Sequence, residues 1–400
     1  MSHIVVIGAG QAGSSVICKL RNSGFDGEIT LIGAETVPPY QRPPLSKAYL
    51  LGEMEKERLF LRPEQFYIDH NITLRLGAPV TAIDRAAKTV SVAGETVAYD
   101  QLVLTKGSNP RHLPASIGGA LGGVHVVRSL DDVDAMRADM APGKHALIVG
   151  GGYIGLEAAA VASKMGLMVT VVEMADRILQ RVAAPETSDY FRALHKEHGV
   201  DIREGVGLDR LLGETRVTGA RLADGSQLDV DMVIVGVGVT PSDSLATNAG
   251  LTINNGIETD AHGRTSDPSI WAAGDCASFP WRGGRIRLES VQNAIDQGEL
   301  VAENIMGANK EYVPNPWFWS DQYDVKLQIA GLNTGYDKIA ARHVGDAVSY
   351  WYYKGDKLLA VDAMNDPRCY MIGKRLIEAG KSPSPDVVSD PETDMKALLK

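Results

Sequence analysis

The chain has 400 residues, 44% apolar and 22% charged, the composition of a folded globular protein rather than a disordered, collagenous or coiled-coil chain. Forty Lys and Arg stand against fifty Asp and Glu, a formal net charge of −10, which argues against general binding to a nucleic-acid backbone. The most apolar stretch, 232–239, is short and broken by Gly236 and Gly238, far below the ~18 residues of a membrane helix, so neither a nucleic acid nor a membrane is expected as a partner.

At roughly 100–200 residues per domain, the length suggests two to four domains. The first ten residues lack the basic region of a signal peptide. Three scattered cysteines, Cys18, Cys276 and Cys369, make neither a disulfide framework nor a C-x-x-C site. A reducing, cytoplasmic setting follows, and the sequon at Asn71 reads as chance.

The chain opens on a β-branched strand, 3–7, followed by Gly8-Ala-Gly10-Gln-Ala-Gly13. A helix of about ten residues is expected from Ser14, then a strand over 28–32 that ends near Glu35. The pattern returns with a strand over 146–149, then Gly150-Gly-Gly152-Tyr153-Ile154-Gly155, a helix over 156–164, and a strand over 168–172 ending at Glu173. Each copy reads as a βαβ unit. Its first glycine permits a tight turn, its second a close approach of backbone to pyrophosphate, and its third close helix–strand packing. The helix N-terminus offers N–H groups to phosphates. Glu35 lies 22 residues after Gly13, and Glu173 18 after Gly155, near the ~20 expected of an acid that bonds a ribose. Two copies, each with strand, helix and acid, point to two dinucleotide sites. Glu173 repels a 2′-phosphate and accepts from a free 2′-OH, so NADH is expected over NADPH, with Arg177 the nearest basic group that softens this preference.

Past the second unit, His195 and His198 read as a solvated helix end closed by Gly199. Cys276 reads as a small buried thiol. The last part shows strands over 326–329, 347–353 and 357–361, a helix over 370–379, and a loose proline-rich tail over 382–390.

Several segments make the resemblance specific: the first glycine motif, Pro43-Pro-Leu-Ser-Lys47, the Thr105–Arg111 segment, 150–157, Ala273-Gly274-Asp275, Glu289-Ser-Val291, and Pro316-Trp-Phe-Trp319-Ser-Asp-Gln322. The chain resembles the two-dinucleotide-binding flavoproteins, and among them the NADH-dependent ferredoxin reductases of the putidaredoxin-reductase type. The resemblance implies an α/β fold with two Rossmann-like dinucleotide-binding domains and a C-terminal α+β interface domain. It places the FAD-binding domain at 1–112 and 241–315, the NAD-binding domain at 113–240 and the interface domain at 316–400. It assigns Gly8, Gly10, Gly13, Glu35, Arg42, Lys47, Thr105, Gly107, Arg111, Gly274, Asp275, Val291 and Trp319 to FAD. Gly150, Gly152, Tyr153, Ile154, Gly155 and Glu173 go to NAD. Lys47 and Glu157 are implied as a pair that tunes the flavin. Trp317-Phe318-Trp319 has two readings, apolar filling and an aromatic wall near the flavin. One departure stands out: the family usually carries Thr where this chain has Lys106, beside the FAD segment.

The implied activity passes electrons from NADH through FAD to a small two-iron ferredoxin, which serves a haem monooxygenase or dioxygenase. Residues 36–46 lack the redox cysteines of the superfamily's disulfide reductases and thiol-based oxidases. Three alternatives stay open: an NADH oxidase or quinone reductase, a redox-sensing NADH-binding flavoprotein resembling apoptosis-inducing factor, and, within the enzyme class, a rubredoxin or other electron carrier as the partner. Arg285, Arg287, Lys310 and Lys326 are the candidate basic docking patch.

Overall fold

The computed structural model describes residues 2–400. The chain divides into two compact units. The first comprises Met1–Arg42, Glu55–Asn109 and Val239–Pro314; the second comprises Pro43–Met54, Pro110–Gly238 and Asn315–Lys400.

The first unit is built on a parallel sheet. Its strands run in the order Ile270–Ala272, Gln101–Leu104, His3–Ile7, Glu28–Ile32, Ile72–Arg75. These strands are near-continuous apolar runs because both faces are covered. On one face, Val16, Ile17 and Leu20 of helix Gln11–Asn22 pack with Val301 and Ala302 of helix Val291–Ile305. The other face packs with Val90 and Val92, from a three-stranded antiparallel sheet, Val80–Asp84, Thr89–Val92 and Glu95–Ala98.

The second unit repeats the parallel arrangement. Strands Asp201–Glu204, Met168–Glu173, His145–Val149, Met232–Val235 and Val124–His125 pair in that order, and helix Tyr153–Lys164 crosses over. It also holds a five-stranded antiparallel sheet, ordered Trp317–Gln322, Val325–Gly331, Lys357–Met364, Ala347–Lys354, Lys338–Val344. Val361, Ala363 and Trp351 of this sheet pack with Ile372 and Leu376 of helix Pro367–Glu378.

Both glycine-motif helices start earlier than expected, at Gln11 and Tyr153. The middle glycine of each motif is itself the extended N-cap residue, so the third glycine lies inside the helix. The late helix likewise starts at Pro367, because Asp366 caps it by accepting from Cys369 N–H at 3.0 Å.

The expectation of a loose tail is corrected. Residues 385–389 form a short helix with Val388 fully buried. The buried Arg342 guanidinium donates to the carbonyls of Val388, Asp390, Pro391 and Thr393. Four carbonyl acceptors on one fork outweigh the disorder that proline-rich composition suggests.

No helix among the described residues is long and apolar enough to cross a membrane.

Candidate functional site

In the first unit, the glycine motif has a separate physical reason at each position. Gly8 has φ +116°, and a Cβ there would lie 2.3 Å from the Thr105 carbonyl oxygen. Thr105 seals this turn, its N–H donating to Ile7 O at 2.8 Å and its hydroxyl to Gly8 O at 2.9 Å. A Cβ at Gly13 would lie 2.1 Å from Gly8 O. At Gly10, by contrast, an added Cβ meets nothing within 4 Å. The protein itself does not require glycine there, and no side chain caps the helix that follows. That open cradle before a bare helix N-terminus fits a pyrophosphate.

Glu35 accepts from Tyr40 O–H at 2.6 Å and Arg42 Nη2 at 2.5 Å. The carboxylate is thus aimed by a cation and a phenol on the loop after the second strand. Asp275 follows Gly274, whose own Cβ position lies 3.0 Å from the Ala12 methyl. This brings the aspartate to the start of the same helix, and it accepts from Ser108 Oγ at 3.0 Å. Gly107 has φ +68° and accepts from Ser242 N–H at 2.9 Å. Val291 opens its helix behind the Ser290 cap. Lys106 is half-buried, and burial draws its ammonium below the ordinary lysine pKa.

The second unit repeats the pattern. Cβ atoms at Gly150 and Gly155 would lie 2.5 Å from Gly236 O and 2.2 Å from Gly150 O, while at Gly152 nothing lies within 4 Å. Glu173 accepts from Gly151 N–H at 2.7 Å and Ala175 N–H at 2.8 Å, so the carboxylate is fixed beside the open cradle. Arg177 is committed elsewhere, to Ser188 Oγ at 2.5 Å and Ala183 O at 2.9 Å. It therefore does not soften the acidic character at Glu173. Ile154 is 45% exposed at the helix start. The Tyr153 ring lies 5.1 Å from Phe318; its hydroxyl is buried without a partner among the described residues, and burial pushes the phenol well above its usual range.

The same unit brings Lys47 and Glu157 together, with Lys47 Nζ 2.7 Å from Glu157 Oε2. Glu157 is 4% exposed and also accepts from Ser46 Oγ at 2.6 Å and Ser320 Oγ at 2.7 Å. Ser46 and Ser320 were not singled out in the sequence, although Ser46 precedes Lys47 and Ser320 follows Trp319. Trp319 is half-buried, its ring 5.5 Å from Trp317. Arg111 is exposed, its N–H bonded to Gly238 O at 2.9 Å.

Three sequence expectations are resolved here. His195 is fully buried, not solvated, and its Nε2 lies 2.8 Å from Gln322 Oε1; the Tyr323 ring packs edge-on against it at 5.1 Å. Only His198 keeps an exposed position, stacked 3.6 Å from Tyr323. Cys276 is a buried free thiol, as expected, and burial pushes it up to about 11. The basic patch is mostly spent within the chain. Arg285 donates to Thr259 O and Ser278 O, Arg287 pairs with Glu289, and Lys310 pairs with Glu303. No cluster of metal-ligating side chains occurs among the described residues.

Comparison with known proteins identifies the family. Residues 2–298 match the pyridine nucleotide-disulphide oxidoreductase family and residues 317–399 match the reductase C-terminal family. The chain is 42% identical to rhodocoxin reductase of Rhodococcus erythropolis over 402 residues, covering 99% of this chain and 94% of that one. It is 39% identical to putidaredoxin reductase of Pseudomonas putida over 411 residues, covering 99% and 96%. The solved covalent putidaredoxin reductase–putidaredoxin complex matches with a TM-score of 0.96 at 39% identity, over 100% of this chain and 98% of that one. A ferredoxin reductase from Rhodopseudomonas palustris matches with a TM-score of 0.96 at 40% identity, over 100% of both chains. The chain belongs to the pyridine nucleotide-disulphide oxidoreductase family. It is a flavoprotein oxidoreductase with FAD and NAD as its cofactors, and the two open glycine cradles fit those groups.

Proposed function

We propose that the chain passes electrons from NADH through FAD to a small two-iron ferredoxin that serves a haem monooxygenase or dioxygenase. The observation that carries this reading is the lack of an internal thiol acceptor. All three cysteines are free, and burial raises each thiol above its ordinary pKa. None is a ready thiolate near neutral pH, so electrons leave to an acceptor outside the chain. The relatives named as reductases of rhodocoxin and putidaredoxin support a ferredoxin as that acceptor.

Gly8, Gly10, Gly13 and Thr105 form the FAD cradle in this reading, with Glu35 and Arg42 on the adenosine half and Asp275 on the ribityl chain. Gly107, Arg111, Gly274, Val291 and Trp319 complete the FAD contacts. Gly150, Gly152, Gly155 and the first turn at Tyr153 and Ile154 hold NAD, and Glu173 selects the free 2′-OH. When bound, FAD accepts a hydride from NADH and releases electrons singly. Lys47, held by Glu157, supplies positive charge that favours the reduced flavin. The domain division is FAD-binding at 1–112 and 241–315, NAD-binding at 113–240, and an interface domain at 316–400. The setting is cytoplasmic.

The test is steady-state cytochrome c reduction with NADH, with and without a two-iron ferredoxin. Turnover that rises with ferredoxin concentration supports the reading. Equal turnover without ferredoxin, using oxygen or quinone instead, overturns it.

A further inference from the structure

A buried chain of hydrogen bonds runs away from the Lys47–Glu157 pair, and the proposed chemistry does not account for it. Ser320 Oγ donates to Glu157 Oε1 at 2.7 Å. Gln322 Nε2 donates to Ser320 Oγ at 3.2 Å. Gln322 Oε1 lies 2.8 Å from His195 Nε2, and Tyr323 O–H lies 3.3 Å from His195 Nδ1. Ser320, Gln322 and His195 are each fully buried.

Ser320 and Gln322 are two apart on one strand, so their side chains share a face. His195 reaches them from helix Pro185–Glu197. The direction of the chain is fixed from its far end. A carboxylate only accepts, so the Ser320 hydroxyl must point at Glu157. Ser320 Oγ then accepts from the Gln322 amide, which turns the Gln322 carbonyl toward His195. That carbonyl needs a donor, so His195 carries its proton on Nε2 and accepts from Tyr323 on Nδ1. Burial holds the imidazole neutral, with its pKa pushed down to about 4, so one tautomer persists at physiological pH.

The opposite tautomer would reverse every link. Gln322 would present its carbonyl to Ser320, and the serine hydroxyl would leave Glu157. Glu157 would keep only Ser46 and Lys47.

We propose that His195 is a positioning residue for flavin reduction: its Nε2–H, acting through Gln322 and Ser320, holds a hydroxyl on Glu157 and so sets how tightly Glu157 draws in Lys47. This rests on the proposed role of Lys47 beside the flavin. With the chain broken, Glu157 loses one of three partners and its charge falls more heavily on Lys47. The positive charge offered to the reduced flavin weakens.

The test uses the full FAD-loaded chain and three variants: His195→Leu, His195→Gln and Lys47→Met. His195→Gln keeps an N–H donor near the Nε2 position. The readouts are the flavin midpoint potential, the anaerobic rate of flavin reduction by NADH, and the thermal midpoint. His195→Leu is expected to slow reduction about fivefold, the effect of one lost hydrogen bond, and to move the potential in the same direction as Lys47→Met. His195→Gln restores both. An unchanged potential in His195→Leu, with a shifted one in Lys47→Met, overturns the role of the chain alone. Unchanged potentials in both overturn the reading of Lys47 itself. A wild-type measurement guards against a variant that does not fold: imidazole ¹⁵N shifts of the Nε2–H tautomer at His195 support the proposal, and those of the Nδ1–H tautomer refute it.

Discussion

Replacing Gly10 and Gly13 separately by alanine distinguishes a glycine kept for the ligand from one kept for the fold. At Gly13 the new methyl lies 2.1 Å from Gly8 O and 3.0 Å from Thr105 Oγ1. A carbon and a carbonyl oxygen need about 3.3 Å, so the helix must retreat by roughly 1 Å from a backbone that cannot yield. The cost is about 3 kcal/mol, which lowers the thermal midpoint by about 5–10 °C with or without FAD. At Gly10 the methyl meets nothing, and the backbone is extended at φ −105°, a conformation alanine adopts freely. Gly10→Ala should therefore stabilise the apoprotein slightly, by about 0.5 kcal/mol, through the unfolded state. It should weaken FAD binding by about 10–100-fold, the equivalent of one lost charge-assisted hydrogen bond. The assays are differential scanning fluorimetry of the apoproteins and fluorescence titration with FAD. Gly10→Ala that destabilises the apoprotein as Gly13→Ala does, or that binds FAD at wild-type strength, refutes the assignment of this cradle.

The remaining predictions concern charge. Two unit charges about 4 Å apart at an effective dielectric of ~20 repel by about 4 kcal/mol, reduced to about 1–2 at a half-exposed, salt-screened site; the wild type should favour NADH over NADPH by about tenfold or more in kcat/KM. Glu173→Gln should narrow that ratio about tenfold, and equal wild-type values for the two cofactors would contradict the reading. Lys47→Met should lower the flavin potential and slow its reduction, and should also destabilise the fold by about 3–5 kcal/mol because Glu157 is left buried without its cation. Adding Glu157→Gln should recover the stability but not the potential; recovery of both would sink the electrostatic role. Asp362 is 1% exposed, accepts from Thr187 Oγ1 at 2.8 Å and from Tyr352, and burial raises its carboxyl from 3.8 to about 6. Between about pH 4 and 6 the native state therefore holds this proton while the unfolded chain has lost it, so stability falls as pH rises through that window, by about 3 kcal/mol in all. Asp362→Asn keeps an oxygen acceptor and escapes that loss, so its thermal midpoint should gain on the wild type between pH 4.5 and 7; a gap that closes instead would show the opposite linkage.

The two glycine motifs were legible because their spacing is local in the chain, with the outer glycines answering a backbone constraint and the middle one left open for a ligand. Glu173 was legible by its spacing, yet Arg177 needed the structure, since its partners are Ala183 in the following loop and Ser188 in the helix beyond it. The Lys47–Glu157 pair came from resemblance; nothing local to either residue announces a partner more than a hundred positions away. His195 was misread because its neighbours Lys196, Glu197 and His198 are polar. Its buried partner, Gln322, lies 127 positions further along the chain. The tail was misread for a similar reason. Proline and serine suggest disorder, but Arg342 on a distant strand gathers two of its carbonyls and two just beyond it. For the basic patch, sequence counts charges without showing that Arg285, Arg287 and Lys310 already have partners within the chain.

The most direct test is an anaerobic titration of the purified, FAD-loaded chain with NADH, watched in the visible spectrum, followed by addition of an oxidised two-iron ferredoxin. The account predicts that the flavin bands bleach with NADH and return as the ferredoxin is reduced. Bands that bleach and then stay bleached in the presence of a panel of such ferredoxins, and persist as a long-lived complex in air, would contradict electron delivery and favour a redox sensor.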